Sequence, residues 1–105
     1  MRILFDQGTP VPLRDCLVGH LVETAYERGW SSFMNGELLD AAEANSFDVL
    51  ITTDQNLKYQ QKLSNRRLGI VALPTTRWPE IQRHAADVVA AVATIRPGDY
   101  LQLGW

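Results

Sequence analysis

The stretch VLITTDQN, residues 49–56, decides the fold prediction for this chain. Val49, Leu50 and Ile51 form a run of apolar, β-forming residues, and Asp54 follows it after two threonines. A short apolar run bounded by polar residues is typical of a strand that is buried on both faces of a sheet. The carboxylate of Asp54 would then lie at the carboxyl edge of that sheet, where parallel α/β proteins bind their ligands.

The N-terminal segment repeats this arrangement, because Ile3, Leu4 and Phe5 run directly into Asp6 and a turn follows at Gly8. Elsewhere, hydrophobic periodicity predicts strands at 20–25, 48–52, 68–73 and 100–105 and helices at 12–18, 37–44, 57–63 and 79–95. Strands that alternate with helices predict one α/β domain over residues 1–105, with a mainly parallel sheet that is covered on both faces.

Composition limits the classes of protein to which the chain can belong. Its 105 residues, 46% hydrophobic and 21% charged, fit one globular domain with a packed core. Because the net charge is only -2, any polyanion would have to be held by a local patch of cations. No apolar run is long enough to span a bilayer and no signal-peptide pattern is present, so we expect a cytoplasmic protein without a membrane partner.

Three acidic residues would lie near one another if the strands before Asp6 and Asp54 are neighbours in the sheet. Asp6 and Asp54 each follow an apolar strand, and Glu37 starts a helix in the same series of elements. Carboxylates that are held close together repel each other unless a cation lies between them. Oxygen ligands without His or Cys suit Mg²⁺ or Mn²⁺, which can activate water and stabilise charge in phosphodiester hydrolysis. The three residues are therefore candidate metal ligands and catalytic residues of a metal-dependent nuclease.

Three segments, in this order, resemble the motif blocks of the short PIN-like proteins, which are relatives of the PIN-domain ribonuclease toxins. The segments are ILFDQGTP at 3–10, NGELL at 35–39 and VLITTDQNL at 49–57, and the resemblance covers roughly the first three quarters of the chain. It implies a three-layer α/β sandwich of the PIN-like type, with an acidic pocket that binds Mg²⁺ and cleaves RNA. For toxin members it also implies an antitoxin protein that blocks the site.

Position by position, Asp6 and Asp54 match the first acidic residues of the first and last blocks. Gln7 stands where Glu is usual, Asn35 where the middle helix usually starts with an acid, and Asn56 where the last Asp is usual. Each exchange removes a negative charge and should weaken metal binding, although amide carbonyl oxygens can still act as ligands. The residues predicted to line the pocket are Gln7, Asn35, Thr53 and Asn56.

The cationic segment KYQQKLSNRR, residues 58–67, is the candidate for RNA binding. Its cations can contact phosphates, and its tyrosine offers a surface on which a base can stack. The predicted RNA-binding residues are Lys58, Tyr59, Lys62, Arg66 and Arg67. The alternative for this segment is a charged surface that is simply exposed to solvent.

The acidic candidates also have a structural interpretation. An Asp after a strand often forms an Asx-turn or caps a helix, and Glu37 can be a favourable charge near a helix N-terminus. Three classes of function therefore stay open: a ribonuclease, a PIN-like module that has lost catalysis and works by binding or regulation, and a structural subunit whose Trp105 end packs on a partner. A homodimer stays open as an assembly.

Overall fold

Runs of three or four residues form the strands of this computed structural model. The structure describes residues 1–60, 63 and 65–105, without the side chains of Tyr59 and Gln60. The strands are β1 (Arg2–Phe5), β2 (Leu21–Thr24), β3 (Val49–Thr52), β4 (Gly69–Ala72) and β5 (Tyr100–Gln102). The helices are a 3₁₀ helix (Val11–Cys16), α1 (Asn35–Ala44), α2 (Leu57–Gln60), α3 (Trp78–Arg83) and α4 (Ala85–Thr94). Among the described residues, no helix is long and apolar enough to cross a bilayer.

The five strands form one sheet in the order β2-β1-β3-β4-β5, and every neighbouring pair is parallel. After β1 the chain moves to one side of the sheet, and after β3 it moves to the other side. The carboxyl ends of β1 and β3 therefore flank the point at which the strand order reverses, which is where such sheets bind ligands. The predicted α/β class with a parallel sheet is confirmed.

The alternation of side chains along the strands divides the core between the two faces of the sheet. On one face, residues that include Phe5 and Ile51 pack with the 3₁₀ helix, α3 and α4. On the other face, Leu4 and Leu50 pack with α1 and with Leu57. Both faces are covered, which explains why the central strands read as continuous apolar runs in the sequence.

The long helix predicted over 79–95 is wrong, because the structure has two helices that meet at His84. The backbone of His84 has φ -113° and ψ 19°, outside the helical range, and its N–H donates to the carbonyl of Ile81 at 3.0 Å. Its ring stacks on Trp105 with the ring centres 4.6 Å apart. Val88 and Ile81 are both buried, so the apolar spacing of one helix persists across the break and conceals it in the sequence.

Leu39 is a test of how α1 is attached to the sheet. Its side chain is fully buried, whereas Leu21 on the edge strand β2 is 70% exposed. We expect Leu39→Ala to lower the free energy of unfolding by about 2–5 kcal/mol, because it leaves a cavity under α1. The matched Leu21→Ala exchange should cost less than about 1 kcal/mol. Urea denaturation of the two variants measures both values, and equal losses would contradict this packing.

Candidate functional site

Asp6 and Asp54 lie at the same edge of the sheet. Phe5 pairs with Ile51 in the register of β1 and β3, so Asp6 follows one strand directly and Asp54 follows its neighbour after Thr53. Both carboxylates line one cavity of about 200 Å³ at the point where the strand order reverses. The structure therefore brings together two of the three predicted ligands.

Asp6 is held by the hydroxyl groups of two buried threonines. The Thr9 hydroxyl lies 2.7 Å from Asp6 Oδ1, and the Thr52 hydroxyl donates to Asp6 Oδ2. Thr52 Oγ1 also accepts a hydrogen bond of 3.0 Å from the backbone N–H of Asp54. Thr52 thus connects the Asp6 carboxylate to the backbone that carries the second one, and it fixes their relative placement.

The protonation of Asp6 is coupled to the hydrogen bonding of Thr9. Thr9 Oγ1 lies 2.9 Å from the carbonyl oxygen of Ile51 as well as close to Asp6, and a hydroxyl has one proton to donate. When Asp6 is ionised, the Thr9 hydroxyl donates its hydrogen bond to Asp6 Oδ1. When Asp6 is neutral, it can donate to Thr9, and Thr9 can donate to Ile51.

Burial raises the pKa of Asp6 above its ordinary value, because a desolvated carboxylate disfavours its charged form. The hydroxyl groups of Thr52 and Thr9 and the backbone N–H groups of Thr53 and Gly8 oppose this rise only in part. A raised pKa in a cleft is a feature of functional carboxylates, although structural clusters also produce it.

Asp54 is oriented by two donors. The side-chain amide of Asn35, the first residue of α1, donates to Asp54 Oδ2 at 2.7 Å. The backbone N–H of Asn56 donates to Asp54 Oδ1 at 2.8 Å, which forms an Asx-turn. Asp54 therefore forms the Asx-turn of the structural interpretation and also lines the cavity.

Glu37 does not join the two aspartates. Its Oε1 accepts a hydrogen bond of 3.2 Å from the backbone N–H of Met34, so it closes a capping box at the start of α1. Of the described residues, no group of three or more His, Cys, Asp or Glu side chains is placed to hold a metal ion. The physical reason is helix geometry: Asn35 occupies the turn of α1 that faces Asp54, and a residue two positions later points roughly 200° away.

The predicted lining residues divide into two groups. Gln7 and Asn35 line the cavity. Asn56 is exposed and contributes its backbone rather than its amide, while Thr53 offers its backbone N–H to Asp6 and its hydroxyl lies against Gly8.

Among the described residues, the predicted RNA-binding cations Lys58, Arg66 and Arg67 do not form one patch beside the cavity. Lys58 lies near β5, with its ammonium 5.7 Å from the centre of the Tyr100 ring. Arg66 is paired with Asp40 and Glu43 of α1 at 2.9 and 2.6 Å. Asp40 and Glu43 lie far before Arg66 in the sequence, so no local sequence pattern indicated this pairing.

Arg67 lies at the opposite end of the sheet from the carboxylates. It lines a cavity with Met1 and Asp48, the residues that precede β1 and β3. Lys62 and the side chain of Tyr59 lie outside the described residues, so their predicted role has no structural counterpart to compare.

Thr9, Thr52, Trp30 and Phe33 are residues of the site that were not predicted from the sequence. Thr9 and Thr52 hold Asp6, and only their position next to turn and strand ends could have indicated this. Trp30 and Phe33 line the same cavity and stack on each other, with ring centres 5.9 Å apart. An aromatic pair three residues apart in a loop was the available signal.

No family model matches the chain, and no curated protein and no solved structure matches it either.

The raised pKa of Asp6 predicts how stability changes with pH. A raised carboxyl pKa means that the folded state binds the proton more tightly, so stability is lost as pH rises from about 3.8 through the folded-state pKa. Asp6→Asn removes this loss while keeping the shape of the side chain. We expect the variant to gain in melting temperature relative to the unchanged protein as the pH is raised from 4 to 8. A difference that is constant across this range would contradict the prediction.

Proposed function

We propose that this chain is a Mg²⁺- or Mn²⁺-dependent ribonuclease of the PIN-like toxin type, with a three-layer sandwich fold. The observation that carries the proposal is the placement of Asp6 and Asp54 in one cavity at the carboxyl ends of β1 and β3. The motif resemblance indicates hydrolysis of RNA as the reaction, and the cavity provides carboxylate and amide groups that could hold a metal ion. The substrate would be RNA, and an antitoxin protein would cover the cavity. A homodimer is part of the same proposal.

The donor atoms at the cavity fit a hard cation. Asp6 and Asp54 offer carboxylate oxygens, and the amides of Gln7 and Asn35 offer neutral oxygens, without a thiol or imidazole among the lining residues. A bound Mg²⁺ or Mn²⁺ would supply charge neutralisation and an activated water for phosphodiester hydrolysis. Asp6 and Asp54 would hold it, and Asn35 and Thr52 would orient the two carboxylates.

The site should bind its cation weakly. Two carboxylates supply fewer negative charges than the resemblance implies, because Gln7, Asn35 and Asn56 stand where acids are usual, and the Asn35 amide already donates to one oxygen of Asp54. In Ca²⁺ sites the number of charged ligands and the rigidity of the site set the affinity, and the weakest have dissociation constants of about 0.1–1 mM, so we expect a similar range here. Assays therefore need millimolar metal.

A second function is favoured by the internal hydrogen bonds of the acidic residues. Each oxygen of Asp6 and Asp54 already has a partner within the protein. A cavity whose carboxylates are hydrogen-bonded without a cation is compatible with a PIN-like binding or regulatory module that has lost catalysis. Measurements of metal binding and of RNA cleavage distinguish the two functions.

Asp54→Asn is the direct test of the nuclease proposal. With 5 mM Mn²⁺, we expect the protein to cleave a mixed-sequence RNA and the variant to lose at least about 100-fold in rate, because changes even outside the ligand shell of metal sites cost 10–100-fold. Asp87→Asn, on the surface of α4, is the matched control and should retain full activity. Cleavage that survives equally in both variants would point to a contaminating nuclease.

Calorimetry with Mn²⁺ decides between the two functions. Heat of binding that disappears in Asp54→Asn supports the enzyme. Absence of binding at millimolar Mn²⁺, together with absence of cleavage, would leave the binding module as the function of the site.

Asn35→Asp should strengthen the metal site. The exchange replaces an amide that lies 2.7 Å from Asp54 Oδ2 with a carboxylate, so the two charges repel in the absence of a cation. We expect a lower melting temperature without metal and a Mn²⁺ affinity at least about tenfold higher, which is about 1.4 kcal/mol. Asn65→Asp makes the same charge change outside the cavity, at a position where the φ of 73° is one that Asp tolerates. Equal affinities for both variants would show that Asn35 does not face the metal.

A further inference from the structure

The loop between β2 and α1 places an aromatic pair in the wall of the acidic cavity. Trp30 and Phe33 both line this cavity, and their rings stack with a 12° angle between the planes. The loop is tied down by hydrogen bonds from Trp30 N–H to the carbonyl of Ala25 at 2.8 Å and from Phe33 N–H to that of Trp30 at 3.0 Å. The pair therefore has a defined position.

Trp30 is fixed by further contacts, whereas Phe33 is accessible. The Trp30 ring packs edge-on against Phe47 at 6.1 Å, and the guanidinium of Arg28 lies 4.8 Å from its centre. Phe33 is 36% exposed, and Met34 after it is 73% exposed. A partly buried Trp30 thus supports Phe33, whose side chain is accessible to a ligand.

The aromatic pair and Asp54 are linked through a short piece of chain. Asn35 follows Phe33 by two residues, and its amide is bonded to Asp54 Oδ2. A planar group that stacks on Phe33 would accordingly lie beside the acidic residues.

The charges and the size of the cavity limit what can occupy it. The charged side chains among its lining residues are the acids Asp6 and Asp54, which repel a phosphate group. Neutral polar groups of Gln7 and Ser31 line it as well and can pair with the edge of a base. Its volume of about 200 Å³ is below the range of drug-sized pockets, about 300–1,000 Å³, and suits one planar ring system.

We propose that Trp30 and Phe33 form a stacking platform that receives one base of single-stranded RNA beside Asp54. The choice of RNA rests on the proposed function, while the platform itself rests on the aromatic pair and the neutral polar groups. Stacking on aromatic side chains is tolerant of sequence, because every base has a π face. The platform would place the base in the cavity and leave the phosphates at its rim.

Binding of a short RNA without cleavage tests the platform. The probes are a fluorescein-labelled hexamer of adenylate and an abasic ribose-phosphate hexamer, measured by fluorescence anisotropy with EDTA present. We expect Phe33→Ala to weaken binding of the adenylate hexamer by about 5- to 150-fold, the loss that corresponds to one stacked base. Val18→Ala is the matched control, because Val18 is 86% exposed and does not line the cavity.

Phe33→Leu separates stacking from folding. It keeps an apolar side chain of similar bulk, and its melting curve shows whether the loop is intact. We expect it to fold normally and still lose most of the affinity. The abasic hexamer should bind weakly to the unchanged protein and to each variant.

The platform is overturned if Phe33→Ala weakens binding no more than Val18→Ala, if the abasic hexamer binds as tightly as the adenylate hexamer, or if the unchanged protein does not bind the adenylate hexamer. Cleavage with Mn²⁺, assayed in parallel, separates this outcome from failure of the proposed function. Cleavage that is unaffected by Phe33→Ala leaves the nuclease without the platform. Base-dependent binding without cleavage leaves the platform on a binding module.

Discussion

The parallel pairing of β1 with β3 is the constraint on which the site depends. Asp6 donates its backbone N–H to the carbonyl of Ile51 at 3.1 Å, so the carboxylate begins where the strand pairing ends. The same register puts the Thr52 hydroxyl against Asp6 Oδ2. A slip of one residue would turn the apolar side chains of β1 to the opposite face of the sheet and would separate Asp6 from Thr52. Because the core on both faces specifies this register, packing energy also fixes the geometry of the acidic residues.

The burial of Asp6 works against folding, and its surroundings reduce that cost without removing it. Hydrogen bonds to an ionised group contribute more than those between neutral groups, and Asp6 has a hydroxyl donor on each oxygen as well as backbone donors from Thr53 and Gly8. A group that only joined two strands could be an amide or an apolar side chain at lower cost. The presence of a desolvated carboxylate at the point where the strand order reverses therefore favours a role for its charge.

Sequence patterns predicted the parts of the structure that follow from local chemistry. The apolar runs at 3–5 and 49–51 predicted two buried strands whose carboxyl ends are followed by Asp6 and Asp54, and the structure pairs these strands as neighbours. The direction of Glu37 could not be predicted, since it depends on whether α1 begins at Asn35 or later. The position of Arg66 depends on its tertiary contacts with Asp40 and Glu43. The break at His84 is likewise accompanied by a tertiary contact, the stacking of its ring on Trp105.

The hydrogen bond between Asn35 and Asp54 competes directly with the metal binding that we propose for the cavity. A cation that approaches Asp54 Oδ2 must displace the Asn35 amide, and a hydrogen bond to a charged group contributes about 1.5–3 kcal/mol. That competition lowers affinity by about 10- to 150-fold relative to an open carboxylate. A half-turn of the Asn35 side-chain amide would replace its NH₂ with its carbonyl oxygen and would turn the competing donor into a ligand for the proposed cation. One amide rotation would thus connect the two proposed functions, because Asn35 would donate to Asp54 in one orientation and face the proposed metal in the other.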